Sequence, residues 1–292
     1  MKILITGGAG FIGKHLASKL LNQHKVIVLD RKKIILEGVK CIKGDIRDYK
    51  NFLKVGKVDI IYHFAAQTSS EISELNSIED LSSNIMGTYN VYKYAIESKV
   101  KEVIFTSSMA VYGESKIAVR EINTCNPKSF YGISKLTAEK ILTKLKNKKI
   151  DTKIFRLFNV YGPGQDLKNL KQGMVSIFIS QALKNKRIEI KGSLNRFRDF
   201  IYIDDVIKTI LSKKIKNNKI YNVGFGKKIK VSNLIKIILK NLPFKVKTII
   251  KDSTVGDVFG TYANIKPLIS LNIKPKVSIE EGIKKTLKFL ND

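Results

Sequence analysis

The chain has 292 residues, of which 43% are hydrophobic and 27% charged, an ordinary globular balance with enough length for one large domain or two intimate ones. No apolar run reaches the ~18 residues of a membrane span, and the two cysteines, Cys41 and Cys125, show no metal or redox spacing. The formal net charge of +29 is high, but the lysines are scattered and not interleaved with aromatic residues, which argues against nucleic acid as the partner and for steering of anionic diphosphates.

Met1 to Ile5 runs straight into a glycine loop, so no signal peptide is expected and a cytoplasmic protein is. Lys2 to Thr6 is a short β-branched run and reads as a buried strand. Gly7-Gly8-Ala9-Gly10-Phe11-Ile12-Gly13 follows, then a helical pattern from Lys14 to Leu21. In this strand–loop–helix order Gly7 allows a tight turn, Gly10 lets the backbone approach a pyrophosphate, and Gly13 lets helix and strand pack closely. The phosphates then sit on the helix N-terminus, beside Phe11 and Ile12. Val26 to Asp30 reads as a second strand ending in a carboxylate, where an acid that binds ribose hydroxyls is expected. The pattern predicts a dinucleotide site for NAD. Arg31, Lys32 and Lys33 directly after Asp30 leave NADP open.

Val39 to Ile42 reads as the third strand, with Asp45 and Ile46 after it on the adenine side. Val58 to Phe64 is the fourth, and Ala65-Ala66-Gln67 is a small-residue exit with room for a cofactor. A helical stretch around Asn84 leads to a strand from Glu102 to Thr106, with Ser107 and Ser108 at its end. Strands alternate with helices, so the fold class is α/β with a doubly wound parallel sheet, and ligands are expected at the carboxyl ends of its strands. Tyr131 opens the next helix and Lys135 follows one turn later on the same face. A cation beside a phenol favours the phenolate, so the pair points to a tyrosine that takes a proton from a hydroxyl near neutral pH.

Ile154 to Gly164 is a strand leaving into a Gly/Pro loop. Beyond it the pattern loosens, with helices over Met174–Leu183, Val231–Leu239 and Glu280–Leu290 and strands over Ile188–Lys191 and Lys245–Ile250. The second half reads as a smaller α/β substrate-binding cap. The expected division is a Rossmann domain over 1–160, completed by a segment near 200–226, and a mainly substrate-binding domain over 161–292.

The joint order of these motifs resembles the extended short-chain dehydrogenase/reductase family, in its group of nucleotide-sugar epimerases, dehydratases and reductases. The resemblance rests on Gly7–Gly13, Asp30, His63-Phe64-Ala65-Ala66-Gln67, Asn84, Ser107-Ser108, Tyr131 with Lys135, the run from Phe158 to Gly164, and Arg198-Asp199-Phe200-Ile201-Tyr202. It implies a tightly held NAD and a nucleotide-diphosphate sugar. Tyr131 would be the base, Lys135 would lower its pKa and hold the nicotinamide ribose, and Ser108 would bond the reacting hydroxyl. Asn159 and Val175 would touch substrate, and Arg198 would clamp the diphosphate. Met109 and Ala110 stand where sugar dehydratases of the group carry an Asp-Glu pair, and Ala110 also stands where the epimerases that make fucose carry a Cys. The resemblance therefore favours a 4-epimerase, with a 4-ketoreductase of a keto-deoxysugar nucleotide as the alternative. It also implies a homodimer formed through the helices near Asn84–Ile96 and at Tyr131. Where the group often reads Arg-Pro-Gly-Asp this chain has Thr254-Val255-Gly256-Asp257, so a second phosphate arginine is missing, with Arg196 or Lys251 as substitutes.

Overall fold

β-branched and aliphatic runs alternate with amphipathic stretches along the first two thirds of the chain, and each run becomes a strand of one sheet. The computed structural model describes residues 1–34, 36–253 and 258–291, so the Thr254–Asp257 departure lies outside the described residues. In chain order the first elements are β1 (Lys2–Thr6), α1 (Phe11–Leu20), β2 (Lys25–Asp30), β3 (Lys40–Lys43), α2 (Lys50–Leu53) and β4 (Ile60–His63). Then come α3 (Ser70–Leu75), α4 (Ser77–Leu81), a π-helical turn at Ser82–Met86, α5 (Gly87–Glu97), β5 (Glu102–Ser108) and β6 (Ala118–Val119). Next are α6 (Phe130–Thr143), β7 (Asp151–Leu157), β8 (Asn159–Tyr161), α7 (Met174–Asn185), β9 (Arg187–Lys191), β10 (Phe197–Arg198) and β11 (Phe200–Tyr202). The last are α8 (Ile203–Ile210), β12 (Lys219–Val223), β13 (Ile229–Lys230), α9 (Val231–Lys240), β14 (Lys247–Lys251), β15 (Gly260–Ala263), α10 (Lys266–Ser270) and α11 (Ile279–Asn291).

The main sheet has seven parallel strands in the order β12-β7-β5-β4-β1-β2-β3. Chain order reverses on either side of β1, and such a switch opens a crevice at the carboxyl ends of the strands. Ile3, Leu4 and Ile5 are each at most 1% exposed, because helices cover both faces. Their alternation divides the core: Ile3, Ile5, Val26 and Val28 pack in the cluster that also holds residues of α1, α7 and α8. Leu4, Ile27 and Leu29 pack in the other, with Phe52, Val91, Tyr94 and Leu142.

The C-terminal part forms smaller sheets: β13-β10-β15-β6, β11 with β8, and β14 with β9. β8 and β11 pair in parallel, with Asn159 opposite Phe200 and Tyr161 opposite Tyr202. That pairing carries the chain from the end of β7 across the mouth of the crevice. Among the described residues no helix is long and apolar enough to cross a membrane.

Candidate active site

A cleft of about 940 Å³ runs along the carboxyl ends of the strands. Its dinucleotide end is shaped by backbone. Gly7 has a φ of +73°, donates its N–H to Leu29 O at 2.9 Å, and accepts from Gly10 N at 3.1 Å. A Cβ on Gly7 would lie 2.7 Å from Ala65 Cα, and one on Gly13 would lie 2.7 Å from Gly8 Cα, so both places demand glycine. Gly10 caps α1 without a side-chain hydrogen bond, which leaves first-turn N–H groups aimed into the cleft for an anion. Asp30 stands at the tip of β2, where its carboxylate accepts from Ala9 N at 2.9 Å and from Lys32 N at 2.8 Å. The cradle has the space, the donors and the carboxylate that a dinucleotide requires.

Arg31 does not turn toward that carboxylate. It pairs with Glu79 at 3.0 Å, and Glu79 also receives Arg47, which forks onto Asp45 at 2.6 Å. Burial works to raise the Asp45 carboxyl, but the hydrogen bonds and charge of Arg47 outweigh it and hold Asp45 below its usual range. Asp45, Ile46, Phe64, Ala65 and Ala66 all line the cleft beside the glycine loop, with Phe11 and Ile12.

At the other end the side chains do the shaping. Ser129 caps α6 by accepting from Gly132 N at 3.2 Å, which fixes the helix start so that Tyr131 and Lys135 face the end of β5. Ser108, Tyr131 and Lys135 all line the cleft, and Ser108 Oγ accepts from Ala110 N at 3.1 Å. Lys135 is 3% exposed, with Nζ 4.1 Å from the centre of the Phe105 ring. Burial pushes Lys135 down to about 7, against the charges of Glu139 and Asp80. Burial also pushes the Tyr131 phenol up to about 12, opposed by the neighbouring Ser108 and reinforced by the charge of Asp80. Burial is the largest influence on both groups and sets both directions.

Asn159 and Val175 line the cleft as well. The Asn159 amide donates to Asp199 O at 2.8 Å and lies 3.8 Å from Met109 Sδ. Three expected residues stand elsewhere. Gln67 and Asn84 are turned away from the cleft into a hydrogen-bonded cluster behind it. Arg198 is 4% exposed and donates to Phe197 O at 2.8 Å and Phe259 O at 3.1 Å, outside the lining. Arg196 donates to Ser193 O at 3.2 Å, and Lys251 pairs with Glu189 at 2.9 Å. His63, quoted in the sequence pattern, is fully buried between Thr6 and Thr88 and is pushed by burial down to about 3, so it is a neutral core residue.

The loop from Gly164 to Gly173 adds lining that no motif marked: Gln165, Asp166, Asn169 and Gln172. The polar character of this Gly/Pro loop was the one signal available.

Residues 3–224 match the NAD dependent epimerase/dehydratase family. The chain belongs to that family. It is 37% identical to a Methanocaldococcus jannaschii protein provisionally named a UDP-glucose 4-epimerase, over 99% of this chain and 98% of the relative. It is 30% identical to the human dTDP-D-glucose 4,6-dehydratase, over 100% of this chain and 90% of that one. Among solved structures, the UDP-glucose 4-epimerase of Thermotoga maritima with UDP-glucose superposes with a TM-score of 0.95 at 31% identity, covering 100% and 99% of the two chains. The UDP-glucuronic acid 4-epimerase of Bacillus cereus, with UDP-glucuronic acid and NAD, gives 0.89 at 29% identity, again covering 100% and 99%.

Proposed function

We propose that the chain is a nucleotide-sugar 4-epimerase that holds NAD and acts on a UDP-hexose by transient oxidation at C4. The observation that carries the reading is one cleft in which a glycine-lined dinucleotide cradle meets Ser108, Tyr131 and Lys135 at the end of β5. When bound, NAD supplies the acceptor and then the donor of the hydride at C4.

The protein's own groups manage the proton and the pose. Ser108 holds the 4-hydroxyl and the Tyr131 oxygen in one hydrogen-bonded set. Tyr131 takes the hydroxyl proton as the C4–H bond breaks, and gives it back to the ketone oxygen when C4–H reforms on the other face. The Lys135 ammonium favours the phenolate that this exchange requires. Asn159 and Val175 border the space for the sugar. Asp30 takes the adenosine ribose hydroxyls, and its negative charge at that spot opposes a 2′-phosphate, so NAD is the cofactor we assign.

The test is direct. The purified chain should carry NAD and interconvert UDP-glucose and UDP-galactose with no nucleotide added. Stoichiometric consumption of NADH or NADPH would overturn the epimerase reading in favour of a 4-ketoreductase.

We further propose a homodimer through α5 and α6. Tyr89 is 47% exposed, Phe130 38% and Ile133 44%, and these exposed apolar side chains on the two helices support a two-fold pairing. A monomer mass at micromolar concentration would count against it.

A further inference from the structure

Behind the reacting pair lies a carboxylate that the chemistry above does not use. Asp80, on α4, is 0% exposed. Its Oδ1 accepts from Ser134 Oγ at 2.6 Å, and its Oδ2 accepts from Gln67 Nε2 at 2.7 Å and Asn84 Nδ2 at 3.2 Å. The cluster closes on itself: Gln67 N donates to Asn84 Oδ1 at 2.9 Å, and Asn84 Nδ2 reaches Gln67 O at 3.0 Å and Ser134 Oγ at 2.9 Å. Ser134 immediately precedes Lys135, and its hydroxyl lies 3.0 Å from Tyr131 O. Asn84 rides on the π-helical turn, a local insertion that is frequent where a helix must aim a functional group.

A buried carboxylate is costly to desolvate, and a neutral amide in its place would satisfy most of the same donors. The charge itself therefore needs a cause. Burial raises the Asp80 carboxyl, and the charge that acts against this is the Lys135 ammonium, itself in a dry position. Two negative charges act on it, those of Glu139 and Asp80. Glu139 is already committed to Arg156, at 2.7 Å, and to Ser107, at 2.5 Å. Asp80 carries no contact ion pair among the described residues, so it is the second charge acting on the lysine, after Glu139, and the one with no guanidinium against it.

We propose that Asp80 is a positioning residue of the reaction: through Ser134, Asn84 and Gln67 it fixes the first turns of α6, and its charge keeps Lys135 protonated in the dry site. The proposal rests on the roles given to Tyr131 and Lys135 above. The other titratable groups around it are accounted for. From α6 they are Tyr131, Lys135 and Glu139, and from β4 the neutral His63. On its own helix Glu79 faces Arg31 and Arg47. On α3 Glu71 pairs with Lys191, and Glu74 accepts from Phe130 N.

The sign of the effect is fixed. The Asp80 charge raises both the Lys135 and the Tyr131 values. Removing it lowers the Lys135 value, so the alkaline limb, where Lys135 loses its proton, moves to lower pH.

The experiment compares kcat against pH for the wild-type chain, Asp80→Asn, Ser134→Ala and Tyr131→Phe on the best UDP-sugar. Asp80→Asn should lose roughly 3- to 30-fold in kcat, the range that coupling through a packed network carries, with the alkaline limb displaced to acid. Ser134→Ala keeps the charge and should lose rate with the limbs in place. An Asp80→Asn profile that superposes on the wild type after scaling overturns the proposal, because a purely structural carboxylate predicts that result. If Asp80→Asn does not fold, Ser134→Ala decides: wild-type kcat there overturns the coupling. Sustained turnover by Tyr131→Phe would instead sink the proposed reaction, whatever Asp80 does.

Discussion

The two ends of the cleft are built from different materials. At the dinucleotide end the work falls to backbone: Gly7, Gly10, Gly13 and the N–H groups that meet Asp30. At the reaction end it falls to buried side chains, with Lys135, Asp80, Asn84, Glu139 and Arg156 all at most 4% exposed. A backbone cradle has no proton to lose and no room for a Cβ. A buried polar cluster tolerates shape changes better, but every member that changes charge shifts the others. The comparison teaches where the enzyme should be sensitive to size and where to pH. Binding of the dinucleotide should be nearly flat with pH while turnover is not.

The sharpest test of that division is Tyr131→Phe. The ring keeps its packing area, so fold and NAD binding should survive while the proton carrier is lost. General acid–base catalysis contributes roughly 10²–10⁴-fold, about 3–5 kcal/mol of barrier. We expect kcat to fall by that range with KM little changed, the pattern of an interaction made mainly in the transition state. A comparable loss of NAD affinity would show that the two ends are not separable.

Next in size is the cost of the buried lysine. Its folded value is lowered to about 7 from 10.5. Below about pH 7 the ammonium is charged in both states, and the folded chain bears the full penalty. As pH rises toward the unfolded value, the folded chain sheds its proton first and the penalty fades. Lys135→Met should therefore raise the melting temperature at pH 6 and raise it less at pH 9, while abolishing turnover. The gain is at most a few kcal/mol, reduced by the loss of a counter-charge for Asp80 and Glu139. A stability gain that does not vary with pH would assign the effect to packing.

The same division explains what the sequence disclosed. The glycine spacing, Asp30 after β2, and Tyr131 one turn before Lys135 are local relations, and chain order reports local relations well. The parallel sheet followed from strands alternating with helices, although its seventh strand, β12, was expected only as a completing segment near 200–226. The cluster behind the site joins Asp80 to Ser134 across 54 residues, and no local pattern encodes that pairing. Gln67 and Asn84 were expected against the cofactor, and no sequence signal showed that their amides also complete that cluster. Arg198 sits on β10, which packs into its own small sheet, and its guanidinium donates to two carbonyls there, a setting that chain order does not show. The phenol's upward shift was hidden for the same reason: sequence shows the neighbouring lysine but not how dry the pair is.

Gly13→Ala tests the backbone end alone. The new Cβ would sit on the Gly7 carbonyl and 2.7 Å from Gly8 Cα, so the loop must shift to admit it. Overpacking of this kind costs roughly 1–3 kcal/mol, and the displaced N–H groups should weaken NAD binding by a similar factor at every pH. Retention of NAD through purification, followed by absorbance or fluorescence, reads the result. A loss confined to one side of the pH range would assign the effect to the carboxylates of Asp30 or Asp45 and not to the glycine loop.

The smallest effect is expected at the rim, where Arg47 joins Asp45 and Glu79 with side chains 26–33% exposed. Partly solvated pairs of this kind are worth about 0–1 kcal/mol. Arg47→Gln should change stability by no more than that near neutral pH. Burial tends to raise both carboxylates and Arg47 lowers them further, so both folded values lie below the ordinary ones. Their contribution is present above the unfolded carboxylate range and is lost as pH falls through the folded values. Wild type and Arg47→Gln should therefore converge in stability on acidification, and salt should narrow the gap between them at neutral pH. Turnover at saturating substrate should stay near wild type, because Asp45 lies at the dinucleotide end. If Arg47→Gln instead displaced the pH profile of kcat, charge at the rim would be reaching Lys135, and the contrast between the two ends would fail at its boundary.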